Sequence, residues 1–134
     1  MSLMINIDVP DLDAGVRFYT EAFGLSVGRR FGRGFAELLG WPAPLYLLTK
    51  SPGTAGAGGD LRRYDRHWTP VHPDIVVDDV DAAVARAVGA GAVLEAAARD
   101  APYGRIAMLA DPFGHGFCLV QFNARGYDAL LNAD

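Results

Sequence analysis

The sequence predicts an α+β protein made of two tandem βαβββ modules, and two observations carry that prediction. The first is an internal repeat: "INIDVPDLDAGV" from Ile5 and "PDIVVDDVDAAV" from Pro73 align at a constant offset of 68. Ile7 then falls on Ile75, Val9 on Val77, Asp11 on Asp79, Asp13 on Asp81 and Val16 on Val84. The second is the succession of periods after each copy: alternation, then helical spacing, then three short apolar runs.

Each repeat opens with alternating residues. Ile5, Ile7 and Val9, or Pro73, Ile75 and Val77, put apolar side chains on one face of a strand. Asp11 and Asp79 then stand where a helix N-cap is needed, with Asp13 and Asp81 in the positive first turn. Helical spacing follows through Val16, Tyr19 and Phe23 to Gly24, and through Val80, Val84 and Val88 to Gly89 and Gly91. The strand signals after the first helix are "SVGRRF", "FAELL" and "PLYLLT"; after the second they are "AVLEA", "RIAML" and "FCLVQF". This gives a first module over 1–50, a Gly/Arg-rich connection over 51–69, a second module over 70–123 and a tail over 124–134, in one structural domain overall. The tail is expected to form a turn or two packed through Tyr127, Leu130 and Leu131.

Composition narrows the setting. A chain of 134 residues, 51% hydrophobic and 21% charged, suits a compact fold and not disorder. A formal charge of −4 supplies no basic field for nucleic acid. One cysteine excludes an intrachain disulfide, no apolar run approaches the roughly 20 residues of a membrane span, and the start lacks a basic leader. A cytoplasmic protein without membrane or nucleic-acid partners is the expectation. The connection "SPGTAGAGGDLRRYDRHW" is glycine-rich but lacks phosphate-loop spacing, so it reads as a surface link with slack.

Near the end, "DPFGHGFCLVQF" sets His115 between two glycines, three residues before the only cysteine. Asp-Pro and Phe-Gly are turn chemistry, and the apolar run that follows is a strand. His115 is therefore expected on a hairpin outside any cavity, with Cys118 pointing inward, so the two do not act together.

The tandem βαβββ plan, with "VPDLDAGVRFYTEAFGL" in the first half and "DPFGHGFCLVQF" closing the second, resembles the vicinal oxygen chelate superfamily over roughly 3–123. The resemblance implies eight strands in a curled mixed sheet around a concave cavity, with the helices outside. That superfamily spans glyoxalases, extradiol dioxygenases, epimerases, fosfomycin-modifying enzymes and metal-free bleomycin-binding proteins, so it implies no single activity. Its enzymes usually hold a divalent metal with four side chains, and their positions fall here at Met4, Tyr46, His72 and Cys118. Only His72 matches the His, Glu or Gln expected there, so no metal and no cofactor is anticipated, and no stoichiometric iron, manganese, nickel or zinc. A second possibility is a soft site for zinc or copper at Met4, His72 and Cys118.

By strand alternation, His72 and Asp74 share a concave face with Met4, Asn6 and Asp8, while Tyr46, Leu48, Cys118 and Val120 form the facing wall. Glu37 is a further candidate of open orientation. A mixed wall of this kind suits a small, planar or aromatic organic ligand. Three function classes follow: a metal-free binding module; a metal-independent lyase or isomerase using His72, with Asp74 or Tyr46, as acid or base; and a divergent metal-dependent glyoxalase or dioxygenase. A homodimer is expected, with Arg62, Arg63, Tyr64, Arg66 and Trp68 at its interface or at the cavity rim.

Overall fold

The computed structural model describes residues 1–131 and divides into two compact units, Met1–Asp65 and Arg66 onward. Each unit is one βαβββ module, and each builds its own four-stranded mixed sheet with a helix on one face.

In the first unit, β1 (Ile5–Val9) leads to α1 (Leu12–Phe23), then β2 (Ser26–Phe31), β3 (Phe35–Leu39) and β4 (Leu45–Thr49). The spatial order is β1-β4-β3-β2, with β1 parallel to β4 and the rest antiparallel. In the second unit, β5 (Asp74–Val76), α2 (Val80–Gly89), β6 (Val93–Ala101), β7 (Gly104–Ala110) and β8 (Gly116–Phe122) repeat the plan in the order β5-β8-β7-β6. Ile7 pairs with Leu47 and Ile75 with Leu119, each in a first strand parallel to a fourth. The repeat read from the sequence is thus a repeat of position.

The caps are those the aspartates specify. The Asp11 carboxylate accepts from the Ala14 amide at 2.8 Å, and that of Asp79 from the Ala82 amide at 3.0 Å. Gly24 ends α1 in the left-handed region, donating its amide to the Thr20 carbonyl. Ala90 caps α2, one residue before Gly91.

The buried stripe of α1 differs from the expected one. Leu12, Gly15, Phe18, Tyr19 and Ala22 are buried, whereas Val16 and Phe23 are half-buried. Gly15 explains the rotation: a β-carbon there would meet Val9 and Leu47 at 3.2 Å, so the helix rests on the sheet through its smallest residue. In α2, Val80 and Ala87 are buried while Val88 is exposed. The other apolar strand residues of these faces, Leu45, Leu47, Ala36 and Leu38 in the first unit and Ala107, Leu109 and Leu119 in the second, complete each core.

Two segments are more ordered than their composition suggests. β6 runs to Ala101, past the expected "AVLEA", with register shifts after Leu94 and after Ala96. Pairing along β7 overrides the weak strand propensity of "AAARDA". The Gly-rich connection closes on itself: Ala55 bridges Leu61, the Gly53 amide donates to the Arg62 carbonyl, and the Arg62 amide to that of Thr54, both at 2.8 Å. Gly58 and Gly59, at φ 81° and 92°, supply the turn that slack alone does not require. In the tail, Tyr127 packs on Phe122 and Tyr103, but Leu130 and Leu131 are exposed; positions 132–134 lie outside the described residues.

Candidate functional site

In each sheet one face carries the helix core and the other carries the polar residues singled out above. Strand register fixes the second set. In the first unit Asn6 lies beside Tyr46, Asp8 beside Leu48, and Glu37 beside Tyr46. In the second, Asp74 lies beside Cys118, Val76 beside Val120, and Met108 beside Cys118.

On the first unit's face the polar groups are tied to one another. Glu37, 7% exposed, accepts from Arg29 through the backbone amide, Nε and Nη2, at 3.2, 3.1 and 2.6 Å, and from the Tyr46 hydroxyl at 2.8 Å. The Arg29 guanidinium, helped by the Tyr46 hydroxyl, holds the Glu37 carboxyl down to about 2. The same carboxylate raises the Tyr46 phenol above its ordinary value. Gly28 makes the approach possible, because a β-carbon there would stand 2.6 Å from Glu37 Oε1. Phe35 stacks on Tyr46 with ring centroids 5.0 Å apart, and Phe31 follows at 5.3 Å from Phe35. Asp8 is bound by Arg62 Nε at 2.7 Å, which pins the glycine hairpin to β1. Asn6 is exposed and Leu48 half-buried.

The second unit holds a cleft of about 90 Å³ lined by Arg66, Trp68, Thr69, His72, Glu95, Met108, Leu109, Gly116, Phe117 and Cys118. His72 Nε2 lies 3.2 Å from Asp74 Oδ1. Among the described residues, His72, Asp74 and Cys118 bring a nitrogen, an oxygen and a sulfur within 4.8 Å of one another. Burial, reinforced by the Asp74 charge and a hydrogen bond to it, pushes the Cys118 thiol up to about 11. Arg66 grips Glu95 with Nε and Nη2 at 2.6 and 2.8 Å, keeping that carboxyl below its usual range.

The expected residues therefore separate. His72, Asp74 and Cys118 converge within the second unit; Asn6, Asp8, Tyr46 and Leu48 belong to the first, and Val120 is buried on β8. Arg66 and Trp68 line the cleft, whereas Arg62 and Tyr64 bind their own unit, Tyr64 donating its hydroxyl to the Lys50 carbonyl at 2.6 Å. Arg63 is exposed beside Asp65. His115 sits in the β7–β8 turn, where Asp111 accepts from the Phe113 and His115 amides. Arg29, Glu95, Met108 and Phe117 were not anticipated. A charge inside an apolar strand was the available signal, in "AVLEA" for Glu95 itself and in "FAELL" for Glu37, the partner of Arg29.

The four positions implied by the resemblance fit a hard metal poorly. Met4 is an exposed thioether, and the Tyr46 hydroxyl is committed to Glu37. The expectation of no metal does not follow from the second unit, however, where Asp74 stands with His72 and Cys118 as a possible hard donor.

Comparison with known proteins agrees with this architecture. The glyoxalase-like domain model matches residues 4–120. An uncharacterised protein of Mycobacterium bovis is 32% identical, over 90% of this chain and 82% of its own length. One of Mycobacterium tuberculosis is 32% identical over 90% and 74%. Among solved structures, a fosfomycin resistance protein of Listeria monocytogenes, crystallised with Mn(II) and 1S,2S-dihydroxypropylphosphonic acid, superposes with a TM-score of 0.71 at 17% identity, covering 98% of this chain and 95% of that one. A glyoxalase/bleomycin resistance protein/dioxygenase family enzyme of Burkholderia phytofirmans gives 0.69 at 20%, covering 90% and 97%. The chain belongs to the glyoxalase-like family, within the vicinal oxygen chelate superfamily.

Proposed function

We propose that this protein binds a small organic molecule with a planar apolar part, and that the cleft of the second unit receives it. The observation that carries the reading is the cleft's lining: Trp68, Met108 and Phe117 offer apolar surface, while His72, Arg66 and Glu95 offer polar groups at its edge. At about 90 Å³ the cleft is smaller than the ~150 Å³ cavity that encloses benzene. It grips a ring edge or a ring substituent, and the rest of the ligand lies outside. Trp68, 78% exposed, is the natural reporter.

The test is ligand-observed NMR with a panel of one- and two-ring aromatics. Binding lost in Trp68→Ala and in Met108→Ala supports the reading. Binding by none of the panel, or binding untouched by either change, sinks it.

A second reading rests on the His72–Asp74 contact. A carboxylate that orients an imidazole leaves the other ring nitrogen for proton transfer next to a carbonyl, as in a lyase or isomerase that uses His72 as acid or base. Deuterium uptake from heavy water into the carbon acid of a bound ligand, absent in His72→Ala, distinguishes this from binding alone. The same proposal includes a cytoplasmic homodimer, with Arg63 and Trp68 as the surface residues available to a partner. A mass near the 14.3 kDa monomer by light scattering overturns the dimer.

A further inference from the structure

An arginine in a binding cleft ordinarily points to an anionic ligand, but the guanidinium of Arg66 is already committed. Nε and Nη2 donate to the two Glu95 oxygens at 2.6 and 2.8 Å, and Nη1 donates to the His67 carbonyl. Its charge is opposed by Glu95 and also by Asp111, a buried carboxylate whose field reaches it. Among the described residues no other lysine or arginine lines the cleft; Arg99, also on β6, stands opposite Ile106 and off the lining.

Asp74 is placed differently. It lies beside Cys118 on the neighbouring strand and 3.2 Å from His72, and both of those residues line the cleft. Its side chain is 41% exposed, and His72 counters its charge only when protonated. A carboxylate has about four acceptor sites. The Cys118 thiol and the His72 ring take no more than two of them, so the others are open to a donor from outside. At the repeat offset of 68, Asp74 falls on Asn6, a neutral amide, and the carboxylates Asp8 and Glu37 of the first unit are each held by an arginine. A carboxylate without an arginine or lysine is thus a feature of the second unit's face.

Asp74, Glu95 and Asp111 set three carboxylates against one spent guanidinium. We infer, on the basis of the binding role proposed above, that the cleft takes a planar organic cation: an aromatic ring bearing an amidinium, guanidinium or ammonium group, with that group against Asp74 and the ring against Trp68 and Met108. An amidinium presents two parallel N–H groups that match the two oxygens of a carboxylate. The negative face of an indole attracts a cation more strongly than any other aromatic side chain, and Trp68 is largely exposed at the cleft.

Three probes of one shape and different charge decide the matter: benzamidinium, benzamide and benzoate. Each is titrated into the full chain at low salt and about pH 8, where an ordinary imidazole is neutral, and followed by ligand-observed NMR and by the Trp68 indole N–H resonance. Benzamidinium should bind at least about tenfold more tightly than benzoate, with benzamide between them, the scale of one hydrogen bond to a charged group. Added salt should shrink that preference. Asp74→Asn, at an exposed position and with unchanged circular dichroism, should bring benzamidinium down to the affinity of benzamide. Equal binding of all three probes, or tighter binding of benzoate, would overturn the cationic ligand while leaving the cleft's binding role standing. A preference for benzamidinium that survives Asp74→Asn would overturn the seat at Asp74, and binding by none of the three would overturn both readings together.

Discussion

The guanidinium of Arg66 lies so close over Gly116 that a β-carbon at that glycine would stand 2.8 Å from Nη2. The contact lets a residue from the connecting segment form a wall of the cleft while reaching Glu95 on β6. Gly116→Ala should displace the guanidinium at small cost to the fold, because what must move is the far end of a flexible, part-exposed side chain. Glu95 should then titrate closer to an ordinary glutamate, since the Arg66 hydrogen bonds hold it down. A variant with an unmoved Glu95 resonance would show that the contact has no consequence.

Glu37 gives a pH prediction with a definite sign. Its carboxyl titrates near 2 in the folded chain against 4.5 for the reference group, so it adds stability that is complete above 4.5 and is lost as pH falls toward 2. Urea midpoints of wild type and Glu37→Gln should differ most at neutral pH and converge between pH 4.5 and pH 2. A gap independent of pH over that interval would contradict the assignment.

Asp111 is 2% exposed and accepts from the Phe113 amide at 2.8 Å and the His115 amide at 2.9 Å. Asp111→Ala leaves two turn amides without that acceptor and should destabilise the fold by about 3 kcal/mol. Asp111→Asn keeps an acceptor and should cost less. Chemical denaturation of the pair checks the order, and equal losses would refute the account.

The Arg62–Asp8 pair predicts how firmly the glycine hairpin is held. Removing a hydrogen bond to a charged group, at roughly 1.5 kcal/mol, raises local opening about tenfold. Limited proteolysis should therefore cut Asp8→Ala within 53–60 about ten times faster than wild type, at unchanged global stability. Equal cleavage rates would mean that the backbone bonds alone close the hairpin.

How much was legible in the sequence depended on whether the information was local. Asp11 and Asp79 declare their caps, and alternation across Ile5, Ile7 and Val9 declares a face, because each acts within a few residues. The stripe of α1 was misplaced because Gly15 is chosen by a contact with Val9 and Leu47, the latter 32 positions away, which no helical spacing reports. His72, Asp74 and Cys118 each stand out in the sequence, but that Asp74 lies directly beside Cys118 depends on the register of β5 on β8. The Glu37 network stayed hidden because Arg29 comes within reach of it only through the register shift between Val27 and Arg30.

That shift recurs in kind at the far side of the second sheet. β2 and β6 each form one edge of their sheet, both are irregular, and both carry charges: Arg29 and Arg30 on one, Arg99 and Asp100 on the other. A bulged, charged border is a poor template for a further strand. A gene that doubles a four-stranded unit risks making a repeating polymer, since every copy offers the same margin to the next. Here each margin is spoiled in its own way, so lengthening by edge-to-edge addition is disfavoured at both of these ends.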